Sequence, residues 1–480
     1  MKILLLRARA LVVVVLTWLT VNTSAFSLLG PEASWQVTGI GYQLPGDIGG
    51  PMNLGEGFRW NVPLITYACD YSFIQYFGVE GVRAIDEAMD VFDKLAAPSK
   101  LNDLSEYSQD TLRPNYEAEA LGLVDLKSTA MHVIMEELGF ADPIHYTYTL
   151  RARQIIGTPP FTNYFTIQRN FDPITLLPSA YVNGVLYGYR IREFQLPVQH
   201  ADAIEEVRAG DLTENIPVAS GFGLAGPFGQ SDVFRAGLYR TGLTRDDVGA
   251  IRYLYHPNNY AVDSLLPGIT LGGSISPFAP FIGTNVLGTT NTIIGGTGTN
   301  VVVTGLRGGR NKLRFRKAFF DPILGNFFTP RNNAFTDVVV STNRTLVVQP
   351  VTRSIVRPDI VFSAGDLGLA QGIDPFLITR TGTDNWVNND AINGVDPVNN
   401  DTGPGTVTPQ VIITFTTLLP AIFNFNGESE DAPSDVTAST FLGVWGSFDG
   451  STNAPVIYPK TRNIQINQLR NAVLNGAPLP

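Results

Sequence analysis

Apolar positions along this chain repeat with two different periods, and the changeover lies near residue 260. Before it, Val82, Ile85, Met89, Phe92 and Leu95 recur at helical spacing until Pro98, which predicts an amphipathic helix. Leu64-Ile-Thr-Tyr-Ala-Cys-Asp70 is a short apolar run and predicts a strand. A second helix is predicted from Leu123 to Leu138, with Gly139 as its C-terminal cap. Leu126, Ala130, Val133, Ile134 and Leu138 share its apolar arc, while Asp125, Thr129, His132 and Glu136 fall opposite. Asn183-Gly184, flanked by Ala180-Tyr-Val and Val-Leu-Tyr187, predicts a hairpin, because that dipeptide suits the positive φ angles of a tight turn. A last helix begins at Thr244, where Thr244-Arg-Asp-Asp247 has the form of a capping box. It places Val248, Ile251, Leu254 and Tyr255 on one face and ends before Pro257.

Beyond residue 260 the helical period fades and the chain turns rich in Gly, Thr, Asn and Val. Residues 300–304, 336–340, 345–348, 411–415 and 456–458 read as strands separated by Gly, Asn, Asp and Pro. The pattern predicts an α+β unit over 58–260, with a hairpin-rich insertion at about 145–195, followed by an all-β sandwich or barrel over 261–480. A segment at 26–57 precedes both. With 480 residues, 44% of them hydrophobic, there is material for two or three cores.

Residues 1–25 read as a secretory signal: Lys2, Arg7 and Arg9 precede the apolar stretch 11–19, and Thr23-Ser24-Ala25 offers small residues for cleavage after Ala25. The expected location is extracellular, cell-surface or periplasmic. No other segment is apolar enough to span a bilayer, so no membrane anchor is expected. A formal charge of −10 repels phosphate backbones and argues against nucleic acid as a partner. Cys69 is the single cysteine, so hydrophobic burial rather than an intrachain disulfide must stabilise the fold. Its apolar run predicts a buried, inert thiol.

Most of the candidate chemistry lies on the second helix, in His132-Val-Ile-Met-Glu136-Glu137-Leu138-Gly139-Phe-Ala-Asp142. This stretch resembles the zinc helix of the matrixin-type metzincin metalloproteases. Trp60…Leu64-Ile-Thr-Tyr67 resembles that family's opening strand, Val82 to Phe92 its first long helix, and Leu243-Thr-Arg-Asp-Asp-Val-Gly-Ala-Ile-Arg-Tyr-Leu-Tyr255 its closing helix, so the likeness covers about 58–257. The resemblance implies that His132, Glu136 and Asp142 stand at the three metal-ligand positions. The metal would be zinc or, with two carboxylates in the set, manganese or calcium. It also implies a general base at position 133, but Val133 cannot take a proton, and Glu136 and Glu137 are the remaining carboxylates. The family's methionine turn has no counterpart, since Met1, Met52, Met89, Met131 and Met135 all precede its place.

Plainer readings stand beside these. His132 and Glu136 suit a solvated helix face, and Asp142-Pro143 suits a turn. Glu137 falls within the apolar arc and calls for a partner such as Arg151 or Arg153. His145 could join a ligand set, although a structural histidine is the simpler assignment; His200 has no companions, and His256 suits a helix C-terminus. Asp384, Asp390, Asp396 and Asp401 could hold calcium or line a surface loop.

Three functions compete. The first is an exported, non-catalytic metzincin-like protein that binds an extracellular protein or polysaccharide or serves as a structural component. The second is a divergent metal-dependent endopeptidase. The third is a purely structural or adhesive surface protein whose protease likeness is one of fold alone.

Overall fold

The computed structural model describes residues 25–30, 50–193, 201–207, 215–220, 236–266, 268–271, 301–321, 326–327, 329–340, 346–364, 376–381, 405–415, 422–425, 436–439 and 444–459. The expected signal, the acidic stretch 384–401 and His200 lie outside these residues, Ala25 excepted.

The predicted first strand forms as β1 (Leu64–Cys69), with Ile65 to Ala68 buried in succession, the pattern of a strand covered on both faces. Asp70 ends it and caps the next helix, its carboxylate accepting from Phe73 N at 2.8 Å. That helix, α1 (Tyr71–Lys94), departs from helical geometry at Gly78 and then buries Ile85, Met89 and Phe92. Lys312 Nζ donates to the carbonyls of Phe92, Asp93 and Leu95, so a distant lysine satisfies the acceptors that any helix end leaves over.

The second predicted helix starts three residues later than its apolar pattern indicates. Leu123–Asp125 is instead a strand, β2, paired in parallel with Val444–Gly446. Asp125 then caps α2 (Leu126–Glu137) through Ser128 N at 2.9 Å. Gly139 lies at φ 99°, where a Cβ would stand 2.0 Å from the Phe58 carbonyl oxygen, so both conformation and space require glycine. The Asn183-Gly184 hairpin joins Tyr181–Val182 to Val185–Glu193, with φ 42° and 84° at the turn. After β3 (Leu238–Arg240) comes α3 (Arg245–Tyr255), and the Thr244–Asp247 capping box is present on both sides.

Every described element after Tyr255 is a strand. β4 (Tyr260–Ser264), β5 (Ile269–Leu271), β6 (Thr304–Gly308), β8 (Arg331–Val340) and β9 (Leu346–Ile355) form an antiparallel sheet of order β4-β6-β8-β9-β5, with β7 (Arg314–Lys317) lying between β6 and β8 in the chain but outside that sheet. Among the described residues, four further strands do not form a sheet of their own. β7, β10 (Ile360–Ser363), β11 (Phe376–Thr381) and β12 (Thr408–Phe415) take up β1, giving the order β7-β1-β10-β12-β11 with only the β11 edge antiparallel. The composition change at residue 260 therefore does not divide the sheets: a strand from before it lies between two from after it.

Packing crosses the same line. Phe73 and Phe77 of α1 meet Phe362 and Phe415 of the sheet, together with Trp445 and Tyr458, at centroid separations of 5.1 to 6.4 Å. One hydrophobic cluster runs from Phe26 to Tyr458. Burying each such ring contributes about 1.5–3 kcal/mol, and the sum ties the two halves together.

A buried ionic belt fastens the antiparallel sheet to this core. Arg59 pairs with Asp263 at 2.8 Å; Asp337 receives Arg307, Arg310 and the Gln349 amide. Arg353 pairs with Asp359, whose carboxylate also accepts from Thr66 N and Oγ1 in β1. Such groups are tolerated inside only because each charge is matched and hydrogen-bonded.

Candidate functional site

α2 is buried nearly all round, which corrects the expectation of a solvated polar face. Ser128, Thr129 and Glu137 are as enclosed as Val133 and Ile134, His132 is nearly so, and only Lys127 and Glu136 are half-buried. The polar arc is covered by β3 and by the segment 215–220. Arg240 N in β3 donates to Ser128 Oγ at 2.8 Å, which in turn donates to Asp125. Sequence periodicity gives no sign of this cover because it comes from residues about ninety positions away.

The cover is held at both ends. The Arg240 guanidinium donates to the carbonyls of Ile216 and Pro217 at 2.7 and 2.8 Å; burial lowers it to about 10, so it stays charged at neutral pH. From the other side the Asp247 carboxylate accepts from Val218 N and Ala219 N at 2.9 and 2.8 Å, while also accepting from Thr244 N and Oγ1. The capping-box aspartate thus serves its own helix and a separate strand of backbone. Its neighbour Asp246 accepts from Ala25 N and Asn183 N at 2.8 and 2.7 Å, which fastens the hairpin turn to the closing helix. Local sequence pattern indicates no role for this Asp-Asp pair beyond the helix cap. The one usable signal is the first aspartate, Asp246, which a capping box formed by Thr244 and Asp247 does not need.

Under the cover lies His132, 8% exposed, with Nδ1 3.0 Å from the Val218 carbonyl oxygen and Nε2 3.5 Å from Glu136 Oε1. A carbonyl only accepts, so Nδ1 carries the proton and the lone pair is on Nε2. Burial pushes the imidazole down, against a smaller upward effect of the Val218 bond, to about 4. The ring is therefore neutral at neutral pH. Nε2 and Oε1 are then facing acceptors, a pair that can hold one proton or one cation between them.

The third candidate ligand, Asp142, serves a turn. Asp142 Oδ1 accepts from Ile144 N and His145 N at 2.8 and 3.2 Å, the turn chemistry that Asp-Pro foretells. Among the described residues no three His, Cys, Asp or Glu side chains group at metal-binding separation. Val133, at the base position, is fully enclosed in the core. Glu137 is fully buried rather than reaching solvent at the helix end, and its backbone carbonyl accepts from Trp60 Nε1 at 2.9 Å; the side chains of Arg151 and Arg153 lie outside the described residues. His145 is enclosed against Tyr146, with ring centroids 4.6 Å apart. His256 follows α3, and its Nδ1 accepts from Asn258 N, a local turn rather than a ligand geometry. Cys69 is half-buried at the end of β1, and burial pushes its thiol well above the usual range, which suits an inert sulfur.

No helix among the described residues is long and apolar enough to cross a membrane. No protein-family model, curated protein or solved structure matches the chain.

Proposed function

We propose that this chain is an exported, non-catalytic protein of metzincin-like build that acts outside the cell as a binding or structural component. The observation that carries the reading is His132: its ring is enclosed, bonded through Nδ1 to Val218, and roofed by a segment that Arg240 and Asp247 hold down. A hydrolytic centre needs an open metal position and a base within reach of the metal-bound water. Here the base position is a core valine and the third ligand position is part of a turn. On this reading α2 is an internal strut, and binding belongs to the protein's outer surfaces.

The test is digestion of a mixed peptide library by purified mature protein, with and without a chelator. No cleavage above background is expected in either case. Cleavage that stops with the chelator and in His132→Ala would overturn the reading.

A second reading, a divergent metal-dependent endopeptidase, is favoured by one feature. An imidazole that gives its Nδ1–H to a carbonyl and turns its Nε2 lone pair toward a carboxylate has the orientation of a metal-bound histidine. His132 and Glu136 would supply two ligands for zinc, manganese or calcium. The 215–220 cover would have to lift before substrate could enter.

A further inference from the structure

The antiparallel sheet β4-β6-β8-β9-β5 has its charged residues turned inward. Its core-facing side carries Asp263, Arg307, Asp337 and Arg353, all in ion pairs. The register sets Val262 beside Leu306, Leu306 beside Val340, Val340 beside Leu346, and Val338 beside Val348 on the opposite side. Along all five strands that outer side holds no Asp, Glu, Lys or Arg; the rest of it is Ser, Thr, Asn, Ala, Gly and Pro. Tyr260, Val262, Leu306, Val338, Leu346 and Val348 are 36 to 63% exposed there. Scattered apolar side chains on a surface are ordinary, but a contiguous apolar face is characteristic of an interface.

We infer that this face is a self-association surface, closed by the same face of a second copy of the chain. Charge argues for that occupant. Two chains of net charge −10 repel over most of their surfaces, and at this face contact brings no like charges together and desolvates none. Shape agrees, since sheet faces pack about 10 Å apart with nearly aligned strands, and one patch meeting its own copy gives a closed two-fold dimer. Size agrees as well. Strands of 5, 3, 5, 10 and 10 residues cover roughly 540 Å² of sheet plane at ~3.4 Å by ~4.8 Å per residue, before side-chain relief is added. That approaches the ~800 Å² of accessible surface per partner in a stable complex. The inference goes beyond the non-catalytic reading of α2 and stands or falls separately from it.

The experiment is sedimentation velocity on the full mature chain over a concentration series, at low and high salt. A monomer–dimer equilibrium is expected, with an association constant that does not fall as salt rises, because no ion pairs form the contact and salt screens the repulsion between the acidic chains. Val348→Glu and Val338→Lys are each expected to weaken it at least about tenfold while the melting temperature stays near that of the parent. If either charged variant fails to fold, Val348→Thr keeps the branched strand residue and is expected to weaken association in the same direction by a smaller factor. A wild-type monomer at every concentration would overturn the inference. So would a dimer that weakens with salt or survives all three substitutions. A monomer that dimerises only after deletion of the uncharged residues 272–300, which connect β5 to β6, would place the occupant in the same chain and overturn it too.

Discussion

Replacing Asp247 by Ala tests whether the cover over His132 is held as the geometry indicates. The substitution removes the acceptor for four donors: Thr244 N and Oγ1 in the helix cap, and Val218 N and Ala219 N in the covering segment. Losing a helix cap costs about 1 kcal/mol. Leaving two buried backbone N–H groups unsatisfied costs about 1–3 kcal/mol each, so the total is roughly 3–7 kcal/mol, a large share of a typical domain's stability. The second effect is local. His132 titrates near 4 because it is enclosed, and the Val218 bond acts the other way but more weakly. Once the segment lifts, water returns to the ring and the midpoint should climb toward the ordinary value of about 6.5. Denaturant melts give the first quantity, and an NMR titration of the His132 imidazole gives the second. A melt like the parent's, or a large stability loss with the His132 midpoint still near 4, would refute the reasoning.

Asp337→Asn leaves Arg307 and Arg310 buried without their carboxylate, and should cost about 3–5 kcal/mol in a denaturant melt. Asp90→Asn, at an exposed pair with Lys94, should cost about 0.5 kcal/mol or less. Gly139→Ala should lower stability by about 1–3 kcal/mol for the positive φ alone, and further through the clash with Phe58, as read by melting temperature. The pH dependence of stability should show two opposed contributions. His132, depressed to about 4, loses stability as pH falls below about 6.5, at ~1.4 kcal/mol per pH unit. Asp125 is raised by burial to about 6 despite its Ser128 bonds, so it gains stability at the same slope as pH falls below 6. Between pH 6 and 4, therefore, Asp125→Asn should lose stability relative to the parent and His132→Gln should gain it; parallel profiles for all three proteins would show that neither group is perturbed.

Local signals in the sequence reported local structure well. The α1 face, the Asn-Gly turn, the capping box at Thr244 and the Gly139 cap each depend on residues within a few positions, and each is present. Strands were harder. Ile360–Ser363 is only four residues long, and Arg314–Lys317 alternates cations with Phe315, so neither was identified, yet both flank β1 in the central sheet. Composition could not reveal that the chain returns across residue 260 to complete its first sheet, because parallel pairing leaves no local pattern. The candidate site was legible as spacing but not as environment. His132 and Glu136 do meet, at 3.5 Å; the roof over them comes from residues 215–220, and Asp142 is occupied by a turn. Helical periodicity separates apolar from polar arcs, and it cannot say that a polar arc is covered by backbone from elsewhere.

The most direct test of the central claim is the metal content of mature protein after exhaustive dialysis, measured beside His132→Ala. The account predicts no stoichiometric zinc, manganese or calcium attributable to His132 and therefore no difference between the two. Near-stoichiometric metal in the wild type that disappears in His132→Ala would contradict it, and would make His132 and Glu136 ligands rather than buried structural groups.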